Sequence, residues 1–300
     1  MKIGFIGLGI MGEAMCGNII RKHDDQVYLY DVEETKAAAL AEAAAKDGFT
    51  NAIVAKDSRE LAKNADVIIS MVPKSEHSRS VYTGILPELK EGKICIDMST
   101  IDPSVSVEIA EMVKKTGADF ADAPVVKSRP AAEAGKLGIY VGCEEKLFDR
   151  ILPVLSYMGE NVIRMGENGK GLVMKICHNA LVSQIQNGVN ETSTLAAAAG
   201  IDILTFAQAI SYGGGQNFYL DSKKNVISAE DFTTAFSIEN MHKDVHICLG
   251  LAKDYGVAMP GEENAVRVYD RAMEKGFGKE DFSATIKVVR NAGALEGAEQ

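Results

Sequence analysis

Short apolar runs alternate with amphipathic stretches through the first half of the chain. Lys2-Ile3-Gly4-Phe5-Ile6 and Val27-Tyr28-Leu29-Tyr30 read as strands, each followed by a helix-like run, to about residue 21 and over about 33–46. A short strand near 52–55 and a helix near 58–64 come next. Asp66-Val67-Ile68-Ile69-Ser70-Met71-Val72 is apolar on both faces, as a central parallel strand should be, and Pro73 ends it. Lys93-Ile94-Cys95-Ile96-Asp97 is another strand, followed by a helix over about 103–116 with proline in its first turn. Further strands fall near 119–122, 138–141 and 161–165. This alternation predicts an α/β fold built on a doubly wound parallel sheet, with ligands at the carboxyl ends of its strands.

The second half changes character. Residues 171–199 contain no proline and keep a helical period, and shorter helical runs follow near 203–212, 239–255, 262–275 and 282–291. The expected organisation is a nucleotide-binding sheet domain of the Rossmann type over 1–166 and an all-α substrate and oligomerisation domain over 167–300. A long helix at about 170–199 joins them. Tyr212-Gly213-Gly214-Gly215-Gln216-Asn217-Phe218 reads as a flexible turn before an aromatic residue, either lining a cleft or connecting helices.

The first strand runs directly into Gly7-Leu8-Gly9-Ile10-Met11-Gly12, a G-x-G-x-x-G between strand and helix. In that context Gly7 makes the tight turn and Gly9 lets backbone approach a pyrophosphate. Gly12 lets the helix pack closely, with the helix N-terminus facing the phosphates. Asp31 ends the second strand, where a carboxylate accepts hydrogen bonds from the adenosine ribose hydroxyls and repels a 2′-phosphate. The following residues, Val32-Glu33-Glu34-Thr35, include no arginine, so the expected cofactor is NAD. The alternative role for Asp31 is to cap the next helix.

Bulk composition narrows the function classes. A 300-residue chain with 46% apolar and 25% charged residues is an ordinary globular enzyme in composition. Its net charge of −10 argues against nucleic acid or an anionic membrane as partner. The five cysteines are scattered, with no C-x-x-C spacing, which suggests reduced thiols and no zinc framework. The chain opens straight into a strand and has no membrane-length apolar run, so the expected location is the cytoplasm.

Lys175 and Asn179 are spaced i, i+4 in the long helix and so share a face, with Leu172, Val173, Met174 and Ile176 around the lysine. A lysine desolvated by such neighbours has a lowered pKa and can exchange a proton with a carbonyl or alcohol oxygen. The residues alone leave a second reading open, a surface lysine on an amphipathic helix.

Taken together, Gly-Leu-Gly-Ile-Met-Gly at 7–12, Asp122-Ala123-Pro124-Val125, Ala132-Glu133-Ala134-Gly135-Lys136-Leu137 and Lys175-x-x-x-Asn179 resemble the β-hydroxyacid dehydrogenase family, of the 3-hydroxyisobutyrate dehydrogenase type, over nearly the whole chain. The resemblance implies Lys175 as catalytic acid/base, Asn179 as a substrate-orienting residue and Thr100 beside the nicotinamide. It also implies Val72-Pro73 behind the adenosine ribose and Lys243, of the pair Lys243-Asp244, reaching the active site. Ser99 and Thr100 are expected to help position the substrate. Where relatives continue Asp-Ala-Pro-Val with Ser-Gly-Gly, this chain has Val126-Lys127-Ser128 and then Arg129. Losing the glycines keeps the backbone farther from a ligand, while Lys127 and Arg129 add cationic donors suited to an anion with several oxygens. That loop is similar to the one in sulfolactaldehyde reductases, which implies a sulfonate substrate. The alternative is that both cations face solvent or pair with Glu133, and a carboxylate substrate is kept.

The expected partner is thus a small anionic substrate, in a homodimer or homotetramer. Two rivals stand beside this reading, a non-catalytic NAD-binding module and a decarboxylating dehydrogenase, for which the chain is short. His242 and His246 sit i, i+4 with Glu239 one turn before, a spacing that could hold zinc. No His-Glu-x-x-His pattern is present and Lys175 already supplies a proton donor, so no metal is expected. His178 is expected to pack or hydrogen-bond, and Asn190-Glu191-Thr192 is a chance sequon within a helix.

Overall fold

The computed structural model describes residues 1–296, with side chains to residue 291. The chain forms two compact units, Met1–Lys175 and Ile176–Gln300, so the division falls inside a single long helix. In the first unit, β1 (Ile3–Ile6), α1 (Ile10–Lys22), β2 (Val27–Tyr30), α2 (Glu34–Lys46), β3 (Ala52–Val54), α3 (Ser58–Asn64) and β4 (Val67–Ser70) follow one another. Next come α4 (Ser75–Ile85), β5 (Ile94–Asp97), α5 (Pro103–Lys114), β6 (Asp119–Asp122), β7 (Val125–Val126) and α6 (Arg129–Glu133). The unit ends with β8 (Leu137–Gly142), α7 (Glu145–Leu155), β9 (Gly159–Gly166) and the first turns of α8 (Lys170–Ala198).

The sheet order is β3-β2-β1-β4-β5-β6-β8-β7, with β9 paired to β8. The first six strands of that order are parallel, while β8 runs antiparallel to β6 and β7. Winding reverses between β1 and β4, the place where doubly wound sheets bind ligands. Each central strand feeds two cores through its period of two. Val67 and Ile69 of β4, with Ile94 and Ile96 of β5, join Phe5, Met15 and Ile19 on one face, and Ile68 and Cys95 join Leu61, Tyr82 and Phe120 on the other. That double burial explains why the run at 66–72 is apolar throughout.

The second unit continues α8 and adds α9 (Ile203–Ile210), α10 (Phe218–Ala229), α11 (Ile238–Asp254), α12 (Pro260–Glu274) and α13 (Ile286–Glu296). The buried face of α8 is polar here. Asn179 donates to Asp244, the Ser183 hydroxyl to Glu262, Gln186 to Phe282 O and Thr285, and Asn190 to Thr285. Paired polar groups of this kind fix register between helices, because a slip would strand buried donors. Among the described residues no helix is long and apolar enough to cross a membrane.

Four helices and one strand lie where the sequence pattern predicts none, each for a local reason. In α4 the buried stripe is Ser78, Tyr82 and Ile85, and its first member is polar. Helix α6 is five residues long, and α7 carries Pro153 inside it. In α10, Lys223 occupies an inward position, paired with Asp281 at 2.8 Å and lying over the Phe282 ring, so a cation interrupts the stripe. Its start at Phe218, capped by Asn217, makes the end of the glycine-rich turn a helix N-terminus. Strand β7 is two residues long.

Candidate active site

The loop between β1 and α1 has the geometry of an anion cradle. Gly7 has φ of 94°, and a Cβ there would lie 2.3 Å from Met71 O. A Cβ at Gly12 would lie 2.0 Å from Gly7 O, so helix and turn meet backbone to backbone. A Cβ at Gly9 would meet nothing within 4 Å, so the chain entering α1 faces open space. Gly9 provides no side-chain cap for α1, and the first-turn N–H groups, around Ile10 and Met11, have no intrahelical acceptor. Leu8 is buried and donates its backbone N–H to Asp31 Oδ2 at 2.6 Å. Asp31 Oδ1 accepts from Glu33 N at 2.9 Å, while the N-cap of α2 is Glu33, not Asp31. Each carboxylate oxygen still carries a second lone pair. Asp31 lines a cavity of about 150 Å³ with Tyr30, Val54, Ala55 and Lys56. Lys36 Nζ lies 3.9 Å from Asp31 but is held at 2.7 Å by Glu33, so the acidic residues dominate locally, although two lysines are near. A glycine turn, an uncapped helix N-terminus and a carboxylate at the end of β2 together fit a dinucleotide.

The carboxyl ends of β4 and β5 are tied by a buried network. Asp97 accepts from the Ser70 hydroxyl and from Ser99 N, and the Ser99 hydroxyl accepts Val72 N–H at 2.8 Å. Burial raises the Asp97 carboxyl above its ordinary range, against the pull of the Ser99 hydrogen bonds. Ser99 is fully buried and engaged in holding the Val72-Pro73 loop. Its hydroxyl thus sets the course of the backbone beside the expected ribose and substrate positions. Thr100, the next residue, is half-buried.

The loop at 126–129 turns by an unusual route. Lys127 has φ of 79°, a left-handed conformation natural to glycine and strained for lysine. The backbone at position 127 therefore keeps a conformation that glycine adopts without strain. Its ammonium donates to Lys136 O at 2.7 Å and Glu160 Oε1 at 3.0 Å, and Arg129 Nε donates to Glu133 Oε1 at 2.7 Å. Both cations are thus ion-paired on the surface, while Val126 is half-buried and Ser128 is exposed.

Asp122, at the end of β6, anchors the helix that carries Lys175. Its Oδ1 accepts Gly169 N–H at 2.7 Å and its Oδ2 accepts Leu172 N–H at 2.9 Å. Burial pushes its carboxyl up to about 6, although those two hydrogen bonds pull the other way. Gly171 makes the fit possible, since a Cβ there would lie 2.5 Å from Tyr140 O. Asn168 adds bonds to Phe120 O and Gly142 O. Lys175 follows one turn beyond Leu172 and is 8% exposed, which removes the surface-lysine alternative. Sequence reasoning missed this anchor. Asp122 was visible only as the first letter of a motif, and only the fold brings β6 to the start of α8.

In the second unit Asn179 Nδ2 donates to Asp244 Oδ2 at 2.6 Å, and Lys243 Nζ lies 3.0 Å from Asp244 Oδ1. Buried Asp244 thus orients both Asn179 and Lys243.

Residues 2–166 match the NAD binding domain of 6-phosphogluconate dehydrogenase, and residues 169–289 match the family model described as NAD-binding of NADP-dependent 3-hydroxyisobutyrate dehydrogenase. The chain is 32% identical to 2-(hydroxymethyl)glutarate dehydrogenase of Eubacterium barkeri, over 96% of this chain and 94% of that one. It is 35% identical to mitochondrial 3-hydroxyisobutyrate dehydrogenase of Rattus norvegicus, over 96% and 87%. The structure of Mycobacterium tuberculosis 3-hydroxyisobutyrate dehydrogenase with L-serine is similar at TM-score 0.87 and 27% identity, covering 96% of this chain and 99% of that one. The cradle at 7–12, the carboxylate at 31 and a lysine on an anchored helix accord with these matches: the chain belongs to the β-hydroxyacid dehydrogenase family and is a nicotinamide-dependent oxidoreductase.

Proposed function

We propose that the protein interconverts a small anionic 3-hydroxy acid and its semialdehyde, using NAD rather than NADP, with Lys175 as the acid/base. The observation that carries this is a buried lysine on a helix whose first turn is fixed by Asp122, in the unit that holds the dinucleotide cradle. The nicotinamide, when bound, supplies the hydride acceptor or donor. Lys175 takes the proton from the alcohol oxygen in oxidation and returns it to the carbonyl oxygen in reduction. Thr100 lies at the nicotinamide end, Val126-Lys127-Ser128-Arg129 holds the anionic head, and Asn179 and Lys243, set by Asp244, complete the substrate and cofactor contacts. Asp31 supports NAD, because a 2′-phosphate would meet its carboxylate with Glu33 and Glu34 close in sequence.

The relatives named for carboxylate substrates favour a carboxylate head. A sulfonate, as in 3-sulfolactaldehyde and 2,3-dihydroxypropane-1-sulfonate, is the second reading, favoured by a lysine in a glycine conformation at position 127. For that reading Lys127 must leave Glu160, an exposed pair whose loss costs about 1 kcal/mol or less. The deciding experiment compares kcat/KM for carboxylate and sulfonate versions of one three-carbon substrate, in wild type and Lys127→Gly. Sulfonate preference that collapses in the variant supports the second reading. Carboxylate preference unchanged by the variant supports the first, and no turnover of either substrate overturns both.

A homodimer or homotetramer belongs to the same reading, supported by Leu181 and Leu195, 60% and 73% exposed on α8. A cytoplasmic location is supported by five free cysteines. Light scattering and cell fractionation test the two.

A further inference from the structure

His242 and His246 lie one turn apart on α11, and both Nε2 atoms are 2.8 Å from the same oxygen, Asp270 Oδ1 on α12. The imidazole centroids are 4.4 Å apart, and the three donor atoms lie within 4.8 Å of one another. We propose that His242, His246 and Asp270 form a binding site for a divalent transition metal of the zinc class, clamping α11 to α12. The third ligand is Asp270, from a helix far along the chain, and not Glu239, the acidic neighbour visible in the sequence.

The donor set suits such an ion. Two imidazole nitrogens and one carboxylate oxygen match the borderline preference of zinc, cobalt and nickel, with bonds of roughly 2.0–2.2 Å. Tetrahedral geometry then asks for donor–donor separations of roughly 3.3 Å. The two N···O separations, both 2.8 Å, need open by only about half an ångström, a change on the scale of side-chain rotation. The spacing of i, i+4 on one helix face keeps both rings on one side before an ion arrives. His242 is half-buried while His246 and Asp270 reach solvent, so water can occupy the remaining position. Without metal both rings must donate Nε2–H to one carboxylate oxygen, and the ion takes the place of those two protons. On α11, Lys243 and Asp244 sit between the two histidines, so the clamp also steadies the turn that holds Asn179.

The test uses the full chain stripped with chelator and titrated with Zn2+ by calorimetry, and with Co2+ by visible absorption. The expected result is one equivalent bound, weakened at least about tenfold in each of His242→Ala, His246→Ala and Asp270→Asn, and unchanged in His77→Ala. Binding should also weaken as pH falls from 7.5 to 5.5, and saturating Zn2+ should raise the melting temperature by about 5 °C in wild type and His77→Ala but not in the three ligand variants. Circular dichroism of each variant separates loss of a ligand from loss of the fold, and His246→Ala, at an exposed position, is the variant least able to disturb it. Variants that bind Zn2+ as tightly as wild type, or a wild type that binds no more tightly than the double variant His242→Ala/His246→Ala, would overturn the site and leave a hydrogen-bonded His-Asp-His cluster.

Discussion

Replacing Asp122 by asparagine tests the anchor of α8 most directly. The carboxylate accepts two backbone N–H groups, one on each oxygen. An amide of the same shape offers one acceptor oxygen and turns an NH2 toward the second donor, which costs about 1–3 kcal/mol for the orphaned buried N–H. Against this stands the cost of the charge. Burial raises the folded carboxyl from 3.8 to about 6, and at 1.36 kcal/mol per pH unit that difference is worth about 3 kcal/mol. The sign follows from proton binding. Between pH 3.8 and 6 the unfolded chain has released this proton and the folded chain retains it, so wild-type stability from this group falls as pH rises and levels off above 6. Asparagine has no such dependence. The protonated carboxyl of pH 4 keeps a single acceptor oxygen, as the amide does, so the two proteins should be nearly equal there, and wild type should fall below the variant by roughly 2–3 kcal/mol by pH 7. A buried carboxyl raised by burial elsewhere, such as Glu262, cancels in the difference. The chain has no tryptophan, so urea titrations at pH 4, 5, 6 and 7 are followed by far-UV circular dichroism. Amide exchange at Gly169 and Leu172 reports the anchor itself. A difference between the proteins that stays constant with pH, or a wild type that gains on the variant toward neutrality, refutes the reasoning.

Lys175→Ala should lower kcat by about 10²–10⁴-fold with NADH affinity, read by fluorescence titration, essentially unchanged; retained turnover removes the lysine from the chemistry. Asp31→Ala should weaken NAD by about 10–100-fold, for one or two hydrogen bonds to a charged acceptor. It should also narrow the preference over NADP, and dissociation constants for both cofactors check this. Lys127→Gly relieves a left-handed lysine worth about 1–2 kcal/mol, offset by glycine's chain entropy and by an exposed ion pair. Its urea midpoint should therefore hold or rise, and a loss beyond about 1 kcal/mol would show that position 127 is unstrained.

How much was legible in the sequence depended on the range of the interaction. The strands β1, β2, β4 and β5, the cradle at 7–12 and the lysine's place in α8 are written in local periodicity and spacing, and short stretches of chain contain them whole. The two-sided burial of β4 was readable because a run apolar on both faces has few other homes. Helices α4 and α10 were hidden because Ser78 and Lys223 occupy inward positions, and their partners, such as Asp281, lie far away in sequence. The same limit applies within the site. Asp122 carries no local sign of its grip on Gly169 and Leu172, and Ser99 carries none of its bond to Val72 N–H.

The charges of the 126–129 loop show why residue type alone is an unreliable guide to a site. Lys127 and Arg129 suggest an anion pocket by count, yet each already has a carboxylate, Glu160 from 33 residues away and Glu133 from one turn away. Exposed pairs of this kind contribute about 0–1 kcal/mol, so they can open for a ligand, but their presence means the free loop is close to neutral. The conformation at position 127 carries more information than its charge. A β-carbon held at positive φ persists only where the surroundings dictate the backbone path. The loop's course is therefore fixed by the strand pairing of β7 with β8 on one side and the start of α6 on the other, and not by the side chain it bears. Under the proposed function, substrate discrimination rests on which head group can draw Lys127 away from Glu160 without moving that backbone.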